Sequence, residues 1–151
     1  MSKESGQGLP TDGTHHQWGD LIALVIPHGW SAQELGALLE FAPDDQSGAG
    51  QISFLRIEAE KLPVSAASAL EILEGFERTI DAQPAGPVQV EERLGTVVIR
   101  HELTGPFAWR VSVKMWKSGA VVVSYCHAGG NPRAVEQADR LLQSIELIRS
   151  P

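Results

Sequence analysis

At 151 residues, 42% apolar and 21% charged, the chain has the size and composition of one globular domain. Its formal charge of −7 argues against general nucleic-acid binding, which needs cations facing phosphates, and suits solubility or a basic protein partner. A single cysteine, Cys126, excludes an intrachain disulfide and gives no sign of an oxidising compartment.

A domain of this length buries about 70% of the surface its unfolded chain exposes, so it folds without metal or cofactor, and none is expected. Residues 1–17 are rich in Gly, Ser, Thr and Gln and read as a flexible N-terminal tail, leaving 18–151 as a single α+β domain. The tail lacks the apolar core of a secretory signal, and no apolar run is long enough to span a bilayer, so a cytoplasmic setting is expected. His15-His16 reads as two polar residues of that tail rather than a metal site.

Leu21–Ile26 is an apolar run stopped by Pro27, with His28-Gly29 as a turn, and predicts a first strand. Ser31 with Glu34 resembles a capping box, which would open a helix, but Gly36 follows at once. A hairpin of Ala37–Ala42 and Gln51–Glu60 across the Asp44–Gly50 loop fits better, and whether 31–36 is helix or turn stays open. Ser65 is a good N-cap for a helix whose Ala69, Leu73, Phe76 and Ile80 share one stripe, ending before Pro84-Ala85-Gly86-Pro87. Val88–Glu92, Leu94–Leu103, Phe107–Trp116 and Ala120–His127 then alternate as strands. Asn131 as N-cap and Pro132 at the first helical position open a closing helix to about Ile148. The pattern predicts α+β: an antiparallel sheet of six to seven strands whose two helices cover one face.

Turn chemistry suggests a register for residues 94–127. Three-residue turns at 104–106 and 117–119 put His101 opposite Trp109, and Trp109 opposite His127. The row His101–Trp109–His127 is the candidate ligand-binding site, although its outer imidazoles stand roughly 9–10 Å apart at the backbone, so a polar rim is the plainer reading. On the other face Arg100 would lie opposite Arg110. Arg100, Arg110 and Lys114, with Trp116 at a hairpin tip, form the candidate surface for a partner's carboxylates, unless Glu102 and other acids balance them.

No catalytic set emerges. Asp44-Asp45 sits in a turn, and Glu91-Glu92 point to opposite faces of a strand. Cys126 and His127 also point apart, and neither a nucleophile elbow, a phosphate-cradling Gly-rich loop nor zinc-ligand spacing is present. The chain is therefore expected not to be an enzyme.

Several segments resemble one family. Ile26-Pro27-His28-Gly29-Trp30 is similar to the apolar strand, Pro, Gly and Trp that open PsbP-like domains. Ser65–Ala82 resembles their first helix, Trp109–Val113 with Gly119–Tyr125 their late hairpin, and Ala138–Leu147 their closing helix. The likeness spans about residues 18–148 and departs from the pattern at Ser31–Glu34. That superfamily includes a nuclear import factor that binds the small GTPase Ran and Eag-type chaperones of type VI secretion effectors. The resemblance implies an αβα sandwich and a non-catalytic role in binding another protein. It carries no functional residues with it.

The expectation is a protein-binding domain, a chaperone or immunity protein for a secreted bacterial effector, with a homodimer compatible with an uncovered sheet face or edge. The alternative is a small-ligand domain using the His101–Trp109–His127 end. An enclosed cavity there would favour the ligand, and a broad open face the protein.

Overall fold

A computed structural model describes residues 13–18, 22–56, 63–117, 119–129 and 131–147. Five strands come first: β1 (Gly13–Trp18), β2 (Ile22–Pro27), β3 (Trp30–Leu35), β4 (Leu38–Pro43) and β5 (Gly48–Arg56). Helix α1 (Ala66–Glu77) follows, then β6 (Gln83–Pro84), β7 (Gln89–Arg93), β8 (Thr96–Thr104), β9 (Ala108–Trp116) and β10 (Gly119–His127). Helix α2 (Pro132–Ser144) and a two-residue strand, β11 (Glu146–Leu147), close the chain. The main sheet runs β3-β4-β5-β10-β9-β8-β6, with β7 also on β8, and every pairing is antiparallel. A smaller sheet, β1-β2-β11, stands apart from it. The fold is α+β, with eight strands in the main sheet against the six to seven expected.

Both helix starts form as the sequence predicts. The Ser65 hydroxyl accepts from Ser68 N–H at 3.1 Å, and the Asn131 side chain accepts from Ala134 N–H at 3.1 Å, each satisfying a donor that the first turn leaves free. α1 stops at Glu77 rather than just before Pro84, and α2 at Ser144 rather than near Ile148.

Three expectations are corrected. Residues 13–17, read as tail, pair as β1 along β2 from Gly13↔Pro27 to Trp18↔Ile22, while 1–12 lie outside the described residues, as do 57–60 and Ile148. Segment 31–36 is neither helix nor turn alone: Trp30–Leu35 is a strand. Gly36 at φ +64° carries the two-residue turn into β4, a left-handed conformation that favours glycine. The capping-box pair loses because alternating Ser31, Gln33 and Leu35 on one face and Trp30 and Ala32 on the other suits a strand.

The third correction decides the architecture. The turn between β8 and β9 is Gly105-Pro106-Phe107, so Leu103 faces Trp109 and His101 faces Val111. That is a two-residue slip and leaves the faces as expected. The next turn holds two residues, not three, so Met115 faces Ala120, Val113 faces Val122 and Trp109 faces Cys126. A one-residue slip inverts every side chain of β10. Val121, Val123 and Tyr125 join Ile22, Leu24, Phe41, Ile52, Leu141 and Leu142 in one core under α2. Ala120 and Val122 join Val97, Ile99, Val111, Val113 and Met115 in a second core under α1, where Ala69 and Leu73 are fully buried. The helices therefore cover opposite faces rather than one, as the αβα resemblance implied.

Candidate functional site

The helices sit diagonally. α1 lies on β8 and β9, while α2 lies on the other face against β10 and β2. On the α1 face, no helix among the described residues packs on the half of the sheet made by β3, β4 and β5.

Cross-strand pairing fixes what this open half presents. Gln33 faces Glu40, Glu40 faces Gln51, and Gln51 faces Ser124, a polar row across four strands. Beside it runs a more apolar row, Leu35, Leu38, Ser53 and Val122. On its other side, Ala49 faces Cys126 and Cys126 faces Trp109. Leu35 and Leu55 are 42% and 39% exposed, high for leucines on a sheet face. Phe76, Thr79 and Ile80, at and just past the end of α1, line the same space as these strands, so the face is a broad cleft of about 660 Å³.

Glu40 is the only charged side chain in these rows. It is half-buried, and among the described residues its carboxylate has no hydrogen bond or ion pair. Cys126 lines the cleft too, and burial pushes its thiol above the ordinary range, the reverse of what a nucleophilic thiolate needs.

The His101–Trp109–His127 row is not assembled. His101 is buried on the α1 face, where Nδ1 lies 2.6 Å from Glu77 Oε2 and Nε2 lies 3.0 Å from the Gly86 carbonyl oxygen. His127 is on the opposite face, stacked on Tyr125 at 5.6 Å between ring centroids, with Nδ1 accepting from Gly129 N–H at 3.1 Å. Trp109 alone reaches the cleft. The space lined by His101, Arg100 and Arg110 measures about 110 Å³, room for a few waters only.

The expected cationic set does share the α2 face, but its charges are engaged within the fold. Arg100 faces Ser112, not Arg110, and reaches Glu91 at 3.5 Å. Arg110 donates to both oxygens of Asp139 on α2 and to Glu102 across the strand pair. Burial works against the Arg110 charge, but the Asp139 and Glu102 carboxylates outweigh it and hold the guanidinium firmly protonated. Lys114 Nζ donates to the Ile145 carbonyl at 2.6 Å, capping the end of α2, and sits 5.6 Å from the Trp116 ring. Burial pushes the Lys114 ammonium below its ordinary range.

Glu40 and its row went unnoticed in the sequence because each member is bland alone. The available signal was the alternation Leu38-Glu40-Ala42 against Gln51-Ser53, which puts a carboxylate among small and amide side chains.

No family model and no curated protein sequence matches the chain. Solved structures do. Cyanobacterial PsbP (CyanoP) from Synechocystis sp. PCC 6803 superposes with a TM-score of 0.68 at 13% identity, covering 93% of this chain and 95% of that one. The fold is PsbP-like. A point mutant of the protein Mog1 matches at TM-score 0.64 and 8% identity, covering 93% and 98%. The Saccharomyces cerevisiae Ran-binding protein Mog1p matches at 0.63 and 7%, covering 91% and 96%. At such identities the likeness describes the PsbP-like backbone and transfers no site. No helix among the described residues is long and apolar enough to cross a membrane.

Proposed function

We propose that this chain is a non-catalytic protein-binding domain that receives its partner on the open face of β3, β4 and β5. The observation that carries the reading is the uncovered half-sheet itself. It presents exposed leucines beside a polar row, in a broad cleft rather than an enclosed pocket. A Ran-binding protein among the structures of similar fold agrees with this class of role. The finer reading is a chaperone or immunity protein for a secreted bacterial effector, acting from the cytoplasm. The Arg110 and Lys114 charges expected to meet a partner are committed to Asp139 and Ile145, so the open face takes their place here.

A photo-crosslinking amino acid at Gln51, in the middle of the face, tests this in cells, with one at Gln89 on the far side of the sheet as control. The expected result is one covalent adduct from position 51, identified by mass spectrometry as a large secreted or toxin-like protein encoded beside this chain. Equal adducts from both positions, or a small molecule retained in the cleft under native mass spectrometry, would overturn the reading.

A further inference from the structure

A carboxylate set among neutral side chains on an open, half-apolar face becomes costly once its water is removed, unless a partner group answers it. Glu40 is partly desolvated, its cross-strand neighbours Gln33 and Gln51 are amides, and Leu35 and Leu38 lie in the adjoining row. A docked polypeptide would remove the remaining water. An uncompensated carboxylate would then oppose docking, whereas a cation delivered by the partner turns the same group into a charge-assisted hydrogen bond. The amide oxygens of Gln33 and Gln51 add acceptors on either side, which suits a guanidinium fork or the three donors of an ammonium. The surroundings favour the same sign of ligand. Glu71, Glu74 and Asp81 are exposed on α1 and the turn after it against a single Arg78, and the whole chain carries −7.

We infer that the open face recognises a polypeptide segment presenting a Lys or Arg between apolar side chains, with Glu40 as the counter-ion at its centre. This rests on the protein-binding reading above and specifies its chemistry. The cation selects the partner, because an apolar segment without one would leave the Glu40 carboxylate dry and unpaired. The flanking apolar side chains lie on the Leu35–Leu38 row on one side and against Trp109, Phe76 and Ile80 on the other.

Random peptides displayed on phage and selected against the full chain supply the probe. Cys126 lines the cleft and is the only thiol, so its rate of maleimide labelling reports occupancy of this face. The expected outcome is a set of peptides carrying Lys or Arg among apolar residues that slow Cys126 labelling. They should lose at least tenfold in affinity on Glu40→Gln, and Glu40→Lys should reverse the preference towards peptides with Glu at the same place. Exchanging the peptide's cation for norleucine makes the same test without touching the protein, should a Glu40 variant fold poorly. Peptides that protect Cys126 yet lack a cation, or ignore Glu40→Gln, would overturn the counter-ion role while leaving the face a docking surface. Selected peptides that leave Cys126 labelling unchanged, or a selection yielding no binders, would overturn both.

Discussion

Arg110 of β9 reaches across the layer boundary to Asp139 of α2 in a two-pronged contact, Nε to Oδ1 at 3.1 Å and Nη2 to Oδ2 at 2.8 Å. Both side chains are about a quarter exposed, so water screens the pair only in part. The planar fork of an arginine matches a carboxylate in a way that a lysine cannot. Arg110→Lys should therefore destabilise the fold by about 1–2 kcal/mol, close to the cost of Arg110→Ala. Chemical denaturation of both variants, with Asp139→Asn closing a double-mutant cycle, checks this. A lysine that restores most of the stability would contradict a geometric role.

His101 ties the end of α1 to the loop before β7. Its two ring nitrogens face a carboxylate, Glu77, and a carbonyl, Gly86, and the ring is 8% exposed. His101→Leu should cost about 1–3 kcal/mol, because a buried ring that holds Glu77 and the Gly86 carbonyl is replaced by a side chain that can bond to neither. His127→Leu, whose ring stacks on Tyr125 nearer the surface, should cost less than about 1 kcal/mol. Thermal melts of the two variants side by side give the ranking, and equal losses would refute it.

The two-residue turn before β10 can be tested by chemistry. Trp109 and Cys126 are directly opposed, and facing residues of an antiparallel pair bring their Cα atoms to about 4.5–5.5 Å, within disulfide reach. Trp109→Cys should yield a disulfide with Cys126 on mild oxidation, read as a mass loss of two hydrogens. With the three-residue turn, position 109 would instead face His127, and the two thiols would point to opposite faces of the sheet.

A mildly acidic pH should loosen the α2 face through His127. Burial, with the Arg110 charge adding to it and Glu102 opposing, holds that imidazole below its ordinary range, and the Gly129 N–H occupies a lone pair that protonation would remove. The unfolded chain then takes up its proton first, at about pH 6.5, so this residue's contribution is complete above that value and is lost as pH falls through it. His127→Gln should flatten the acid side of a Tm–pH profile below about pH 6.5, and an unaltered slope would dismiss the idea.

How far the sequence could be read depended on whether one face of an element differed from the other. Ser65 and Asn131-Pro132 mark helix starts by side-chain chemistry that depends on nothing distant, and both helices begin there. β8 and β9 alternate cleanly, so even a turn misplaced by one residue left Val97, Ile99, Val111 and Val113 on the right side. β10 offers no such contrast. Val121, Val122 and Val123 suit either face equally, and Gly119, expected as the last residue of the 117–119 turn, is instead the first residue of the strand. The expected ligand row lost the His101–Trp109 pairing at the first turn and lost His127 to the other face at the second. The cleft was illegible for a different reason: it exists only where α1 stops short of β5, a matter of how far one helix extends across the sheet.

β10 lies between β9 and β5 with both of its faces inside a core. Its first seven residues, Gly119 to Tyr125, contain no charge and no proline, a composition that in isolation favours stacking into fibrils. While β5 is in place, every backbone group along that side is occupied. Should the β3–β5 hairpins peel away, the same strand would become a long, greasy, unguarded edge. Whatever grips the outer hairpins would then also act as a safeguard against self-association, by keeping that edge closed.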